Sequence, residues 1–152
     1  MPNYPDVQLF IDGKWREGAE GKTLPIIDPA TEVEIGRLAH ATRPDLDAAL
    51  KAAEKGFEIW RNTSVFDRYQ IMRKAAQLLR ERKDDIAWLM TRDQGKPLAQ
   101  SAMEIAVGAD TIDWFAEEAR RTYGQVIPAR APGVTQMTMK LPVGVVAAFT
   151  PW

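Results

Sequence analysis

Residues 143–149 read VGVVAAF, and this stretch decides the class of fold. Its apolar side chains occupy both faces of the predicted strand, which is typical of a central strand in a parallel sheet with helices on both sides. Such a strand needs neighbouring strands, because its backbone donors and acceptors must be paired. Only three residues follow it. We therefore expect the sequence to be an N-terminal fragment, cut in the middle of a domain.

The middle of the chain is predicted to contain three helices. The first follows the N-cap residue Thr42 and carries an apolar stripe at helical spacing over residues 46–60. The second follows a cap at Ser64 and stops at Gly95, a residue type that commonly ends helices. The third covers residues 98–123, where apolar side chains again recur at helical spacing.

Short β-prone runs flank this helical region on both sides. Asp12-Gly13 is a strong hairpin turn signal after the first run. The last run alternates between polar and apolar residues, as an edge strand does. The runs are residues 7–11, 24–27, 32–38 and 134–140. Together the patterns predict an α/β fold that is incomplete: small strands, three helices and the first strand of a Rossmann-like parallel sheet.

Composition excludes several classes of function. The 152 residues carry a net charge of −1, which offers no basic surface for nucleic acid or an acidic membrane. There is no cysteine and His40 is the single histidine, so a thiol nucleophile, a zinc–thiolate site and a multi-histidine metal site are excluded within these residues. With no signal peptide and no run of about 18 apolar residues, the expected location is cytoplasmic.

Four motifs in order along the chain carry a family resemblance. The resemblance is to the NAD(P)-dependent aldehyde dehydrogenases, and it covers nearly the whole chain. WFAEEARR at residues 114–121, followed by Tyr123-Gly124, is most similar to the succinate-semialdehyde dehydrogenase branch. The four motifs are FIDGKW (10–15), DPAT (28–31), DQGKPL (93–98) and PVGVVAAFTPW (142–152).

The resemblance implies a reaction whose central groups are not in these residues. In the family a cysteine thiolate attacks the aldehyde to form a thiohemiacetal, hydride passes to NAD or NADP, and a glutamate activates the water that releases the acid. None of the catalytic residues is present, so we expect the chain alone to be inactive. The implied substrate is succinate semialdehyde or a similar aldehyde. The alternative is a non-catalytic truncated module that pairs with a full-length partner through its exposed sheet edge.

The resemblance also divides the chain into three parts. Residues 1–133 would be the strand-and-helix part of the cofactor-binding domain, and residues 134–141 an edge strand of the type used for oligomerisation, as a dimer or tetramer. Residues 142–152 would be the first parallel strand. Its carboxyl end, where cofactors lie in open α/β sheets, would place Phe149, Thr150, Pro151 and Trp152 beside NAD(P). Without the family, the same residues are simply a buried strand end.

Two further sites follow from the resemblance. The third helix would flank the substrate tunnel, with Val107, Gly108, Ile112 and Trp114 as candidate lining residues. Core packing is the alternative for each of these four. A monovalent cation would be held by Asp93 and the main-chain carbonyls of Ile26 and Ile27, since hard cations prefer oxygen ligands. The alternative for Asp93 is a surface ion pair with Arg92 or Lys96.

Overall fold

The fold consists of three small hairpins and four helices, seen in a computed structural model that describes residues 4–150. None of the helices in this range has the length and apolarity needed to traverse a bilayer. In chain order the elements are β1 (Leu9–Ile11), β2 (Lys14–Arg16), β3 (Thr23–Ile27), β4 (Glu34–Ala39), α1 (Arg43–Asn62), α2 (Val65–Glu81), α3 (Lys83–Gln94), α4 (Leu98–Ala119), β5 (Gln125–Ile127) and β6 (Gln136–Thr138).

Each hairpin is a separate antiparallel pair, β1 with β2, β3 with β4 and β5 with β6. Asp12 and Gly13 both have positive φ, 52° and 75°, as the predicted tight turn requires. The β3–β4 register shifts between Ile26, which pairs with Gly36, and Ile27, which pairs with Glu34. This irregularity is a β-bulge, so one residue of β4 stays outside the ladder.

Helices α2, α3 and α4 form the packed centre of the molecule. Small side chains lie in the contacts: Ala76 of α2, Ala87 of α3 and Ala109 of α4 are almost completely buried. Small residues allow helix axes to approach closely, and the polar Ser101 is accommodated there because its hydroxyl lies 2.8 Å from that of Thr91. The core therefore depends on close backbone approach rather than on large apolar side chains.

A buried carboxylate joins the first hairpin to α1. Asp45 accepts hydrogen bonds from the N–H groups of Ala19 and Thr42 and from the Thr42 hydroxyl, and it pairs with Arg16 at 2.9 Å. The backbone hydrogen bonds from Ala19 and Thr42 hold the pKa of Asp45 below its usual value, although burial acts in the opposite direction. Asp45 is thus both the N3 partner of the N-cap residue Thr42 in the capping box of α1 and the anchor of the segment after β2.

The prediction of three helices is wrong in number. The second predicted helix is two helices, α2 and α3, which meet at Arg82. Arg82 has φ −99° and ψ 12°, and its N–H still bonds the carbonyl of Leu78. No glycine or proline lies between residues 65 and 94, and the apolar periodicity runs through Arg82 without interruption. The sequence therefore gives no local signal for the break between α2 and α3, which tertiary packing imposes.

Residues 143–149 form no strand within the described part of the chain, contrary to the sequence prediction. Val143 is 92% exposed and Phe149 is 93% exposed. The physical reason is that a strand exists only through its partners, and no neighbouring parallel strand is available to this segment in residues 4–150. The predicted edge strand over residues 134–140 shortens to β6, which pairs with β5, a strand that the sequence pattern did not predict.

The chain exposes much more surface than an independent domain of its size. Its accessible surface is 11665 Å², whereas a folded monomer of 17.1 kDa has about 7,700 Å². Many large apolar side chains are exposed, among them residues of α1, of α4 and of the stretch 134–149. Exposed apolar side chains in this number are typical of faces that another polypeptide covers.

Candidate functional site

The end of β3 and the end of α3 lie together. Asp28, only 3% exposed, follows β3 and pairs with Arg92 of α3 at 3.0 Å. It also accepts a hydrogen bond from the N–H of Ala30 at 2.8 Å, which fixes the turn. Gly95, at φ 82°, lies so close to Pro29 that a Cβ at that position would be 2.9 Å from the proline Cγ. The predicted cation residues Ile26, Ile27 and Asp93 are therefore in neighbouring parts of the fold.

Asp93 is linked to β4 through Tyr4. The Tyr4 hydroxyl donates to Asp93 Oδ1 at 3.3 Å, and the Tyr4 ring lies against Gly36, the partner of Ile26 in the β3–β4 ladder. Burial raises the pKa of Tyr4, and the Asp93 carboxylate raises it further. The basic residue Arg92 pairs with Asp28, not with Asp93. Asp93 is itself exposed.

Besides Asp28, whose carboxylate is paired with Arg92, this corner offers main-chain oxygens and the carboxylate of Asp93. Residues 4–150 contain no group of three or more His, Cys, Asp or Glu side chains that could hold a metal ion. The bulge at Ile26 and Ile27 interrupts the ladder where the sequence prediction places carbonyl ligands. Any cation held here would depend on those carbonyls, with Asp93 as its one charged ligand.

The four predicted tunnel residues on α4 divide between two faces. Val107 and Trp114 are about two helical turns apart and share the exposed face, where Trp114 is 66% exposed. Met103 lies on the same face and is also exposed. Gly108 and Ile112 are half-buried toward the packed side, where a Cβ on Gly108 would be 3.7 Å from Leu79 Cδ2 of α2. Only Val107 and Trp114 are presented together to a possible ligand.

Two of the four predicted cofactor residues lie in the exposed segment after β6. Phe149 and Thr150 are exposed, and Pro151 and Trp152 are outside the described residues. The structure therefore does not bring Phe149 and Thr150 into a pocket with the exposed face of α4.

The sequence prediction missed a groove that the helix ends form. It lies between α1, the first half of α2, the end of α4 and residues 140–142, with a volume of about 550 Å³. Arg61 and Arg68 are among its lining residues. In the sequence these arginines are indistinguishable from ordinary helix-surface cations, so only the meeting of four chain segments identifies the groove.

Comparison of the whole chain with known proteins places it in a class of oxidoreductases. Residues 15–152 match the family described as the aldehyde dehydrogenase family, and the chain belongs to that family. It is 44% identical, over 95% of its length, to 4-(hydroxymethyl)benzenesulfonate dehydrogenase TsaD1 of Comamonas testosteroni. It is 37% identical to the NADP(+) succinate-semialdehyde dehydrogenase GabD of Escherichia coli K12, again over 95% of its length. In each case the chain spans 30% of the relative.

The fold is that of solved aldehyde dehydrogenases. The aldehyde dehydrogenase from Brucella melitensis biovar abortus 2308 superposes with a TM-score of 0.86 at 35% identity, covering 90% of this chain and 28% of that one. The resemblance inferred from the sequence motifs is thereby confirmed, as is the α/β class corresponding to the N-terminal part of that fold.

Proposed function

We propose that this chain is the N-terminal part of an NAD(P)-dependent aldehyde dehydrogenase that oxidises succinate semialdehyde or a similar aldehyde to the carboxylic acid. The observation that carries the proposal is the family match over residues 15–152, together with semialdehyde dehydrogenases among the relatives at 37% and 41% identity. The proposed location is cytoplasmic.

The catalytic groups would come from outside these 152 residues, which contain no cysteine. NAD or NADP, when bound, would accept a hydride from the substrate. Of the residues in this chain, Phe149, Thr150, Pro151 and Trp152 would lie beside the nicotinamide end of the cofactor. The support for this is the family match, which extends over these four residues.

The role proposed for α4 is to supply one apolar wall of the substrate tunnel. Val107 and Trp114 share one exposed face and fit this role. Gly108 and Ile112 would act indirectly, by fixing how closely α4 packs on α2. An apolar wall excludes water from the reacting aldehyde and gives no hydrogen bond to it, so orientation would depend on shape.

A monovalent cation is proposed at the corner formed by Asp93, Ile26 and Ile27. Its support is the Tyr4–Asp93 hydrogen bond, which fixes the carboxylate near the bulged strand. Thermal unfolding in sodium chloride and in choline chloride of equal ionic strength tests the site, since only a bound ion stabilises the fold specifically. Asp93→Asn should abolish the difference between the two salts. A difference that persists in the variant would refute the site.

Homo-oligomerisation is proposed through residues 134–141. One edge of β6 pairs with β5, and the other edge has no strand partner within residues 4–150. Exposed β-edges pair readily with another chain. The same observation supports the second candidate function, a non-catalytic module that pairs with a full-length aldehyde dehydrogenase through this edge.

The intact mass and the activity of the native polypeptide distinguish the two candidate functions. An antibody raised against residues 4–150 would isolate it from its own cells for intact-mass measurement and for an assay of NAD(P)H formation with succinate semialdehyde. The enzyme proposal predicts a mass about three times 17.1 kDa, because the chain spans 30% of its relatives, and aldehyde-dependent NAD(P)H formation. A polypeptide of 17.1 kDa without turnover would refute that proposal and support the pairing module.

A further inference from the structure

The groove at the helix ends has the dimensions of a small-molecule site. Its volume of about 550 Å³ lies within the range of pockets that hold small organic ligands. Four separate parts of the chain build it, so its shape depends on the tertiary fold. Phe57 and Trp60 of α1, Met72 of α2 and Leu141 give it an apolar wall. None of the residues proposed above for cofactor, tunnel or cation lines it.

The charged residues of the groove are all cationic. Arg61, Arg68 and Lys140 line it, and no acidic side chain does so within residues 4–150. The chain as a whole is nearly balanced, with a net charge of −1, so the groove is more positive than the chain average. It creates a local potential that attracts anions into the groove.

The three cations are largely available to a ligand. Arg68 donates one N–H to the carbonyl oxygen of Trp60 at 3.2 Å, which orients the guanidinium and leaves its other donors available. Arg61 lies over the Phe57 ring at 5.5 Å, and its one ion pair, with Glu58 at 3.6 Å, is solvent-exposed and therefore weak. Lys140 has no ion-pair partner in the described part of the chain.

We propose that this groove binds an aromatic anion, a flat ring bearing one carboxylate or sulfonate group. The ring would lie against the apolar wall formed by Phe57 and Trp60, and the oxyanion would accept hydrogen bonds from the guanidinium groups and from Lys140. The paired N–H donors of a guanidinium can bind two oxygens of a carboxylate or a sulfonate at once, and such charge-assisted hydrogen bonds are stronger in a partly desolvated groove. The site is separate from the residues proposed for cofactor, tunnel and cation, so its failure would leave the proposed catalytic function standing. Lys140 and Leu141 also belong to the segment 134–141 that is proposed for oligomerisation.

Calorimetric titration of the native full-length polypeptide that contains these residues, with benzenesulfonate and with benzoate, tests the proposal, and neutral benzenesulfonamide is the matched ligand. We expect saturable one-to-one binding of both anions, at least about tenfold weaker binding of the sulfonamide, and weaker anion binding as salt rises. Arg61→Gln and Lys140→Gln should each weaken anion binding about three- to tenfold, as expected for loss of one charge-assisted hydrogen bond. Lys51→Gln is the control, because Lys51 is an exposed cation of α1, the helix that contains Arg61, and lies outside the groove. This variant should bind the anions as the parent does.

Three results would overturn the proposal. The first is absence of saturable binding up to about 10 mM anion. The second is equal loss of affinity in Lys51→Gln and the groove variants, which would mean diffuse charge attraction. The third is equal binding of benzenesulfonamide and benzenesulfonate, which would mean a purely apolar cavity. Arg61 and Lys140 are exposed, so their variants should retain the parent circular dichroism spectrum, and a changed spectrum in both would also count against the groove as a preformed site.

Discussion

Gly108→Ala in the middle of α4 should stabilise the chain, although Gly108 is at a position that the family resemblance assigns to the tunnel. Glycine inside a helix costs about 0.5–1 kcal/mol relative to alanine, because the unfolded chain loses more backbone freedom on folding. A Cβ built on Gly108 would meet Leu79 Cδ2 at 3.7 Å, an ordinary van der Waals contact that requires no movement. The free energy of unfolding should therefore rise by about 1 kcal/mol.

The assay is urea unfolding followed by far-UV circular dichroism, with Gly56→Ala as the matched control. Gly56 lies inside α1, and a Cβ built there meets nothing within 4 Å, so its variant measures helix propensity alone. A gain of about 1 kcal/mol corresponds to a rise in Tm of about 2–4 °C in a chain of this length. If Gly56→Ala is stabilised while Gly108→Ala is destabilised, then α4 approaches α2 more closely than the contact with Leu79 indicates, and the reasoning is refuted.

Three further substitutions test other contacts of the fold. Gly18→Ala should lower the urea midpoint, with a loss of about 1–3 kcal/mol, because its Cβ would lie 2.4 Å from the His40 carbonyl oxygen; an unchanged midpoint would contradict that close approach. Ala109→Leu should lower the free energy of unfolding by about 1–3 kcal/mol, because it overpacks a fully buried position of α4. Ala99→Leu, on the exposed side of α4, is the control and should change it by less than about 0.5 kcal/mol. Equal effects of the two substitutions would argue against a packed α4 face. Asp45→Asn should remove part of the acid sensitivity of folding, because the pKa of Asp45 is lower in the folded chain than in the unfolded chain. The stabilisation by Asp45 is therefore complete above the unfolded pKa and is lost as the pH falls through the folded pKa. Urea titrations from pH 7 to pH 3 in which the stability of parent and variant declines equally would contradict this.

Local chemistry made several features predictable. The hairpin turn at Asp12-Gly13 needs positive φ at both positions, and these residue types adopt it readily. The start of α1 after Thr42 follows from the capping residues, and the end of α3 at Gly95 follows from the left-handed conformation that glycine permits. In each case the cause lies within a few residues of the feature.

The candidate sites were predictable only in part. The structure brings Asp93 and Ile27, which the family resemblance groups as cation ligands, next to the Asp28–Arg92 contact, while the cation itself stays a prediction. The tunnel assignment treated α4 as one surface, and the structure separates Val107 from Gly108 because adjacent helical residues point about 100° apart. Which of these faces meets α2 depends on a distant partner, and helical periodicity within α4 does not identify that partner.

The sequence by itself determined the helical middle, the first turns and caps, and membership of the aldehyde dehydrogenase family through ordered motifs. The tertiary structure alone decided the break at Arg82, the pairing of β5 with β6, and the cationic groove at the helix ends. It also decided that residues 143–149 form no strand and are mostly exposed, because a strand is defined by hydrogen bonds to other strands. Local signals act over a few residues, whereas partner choice depends on which apolar faces meet in space.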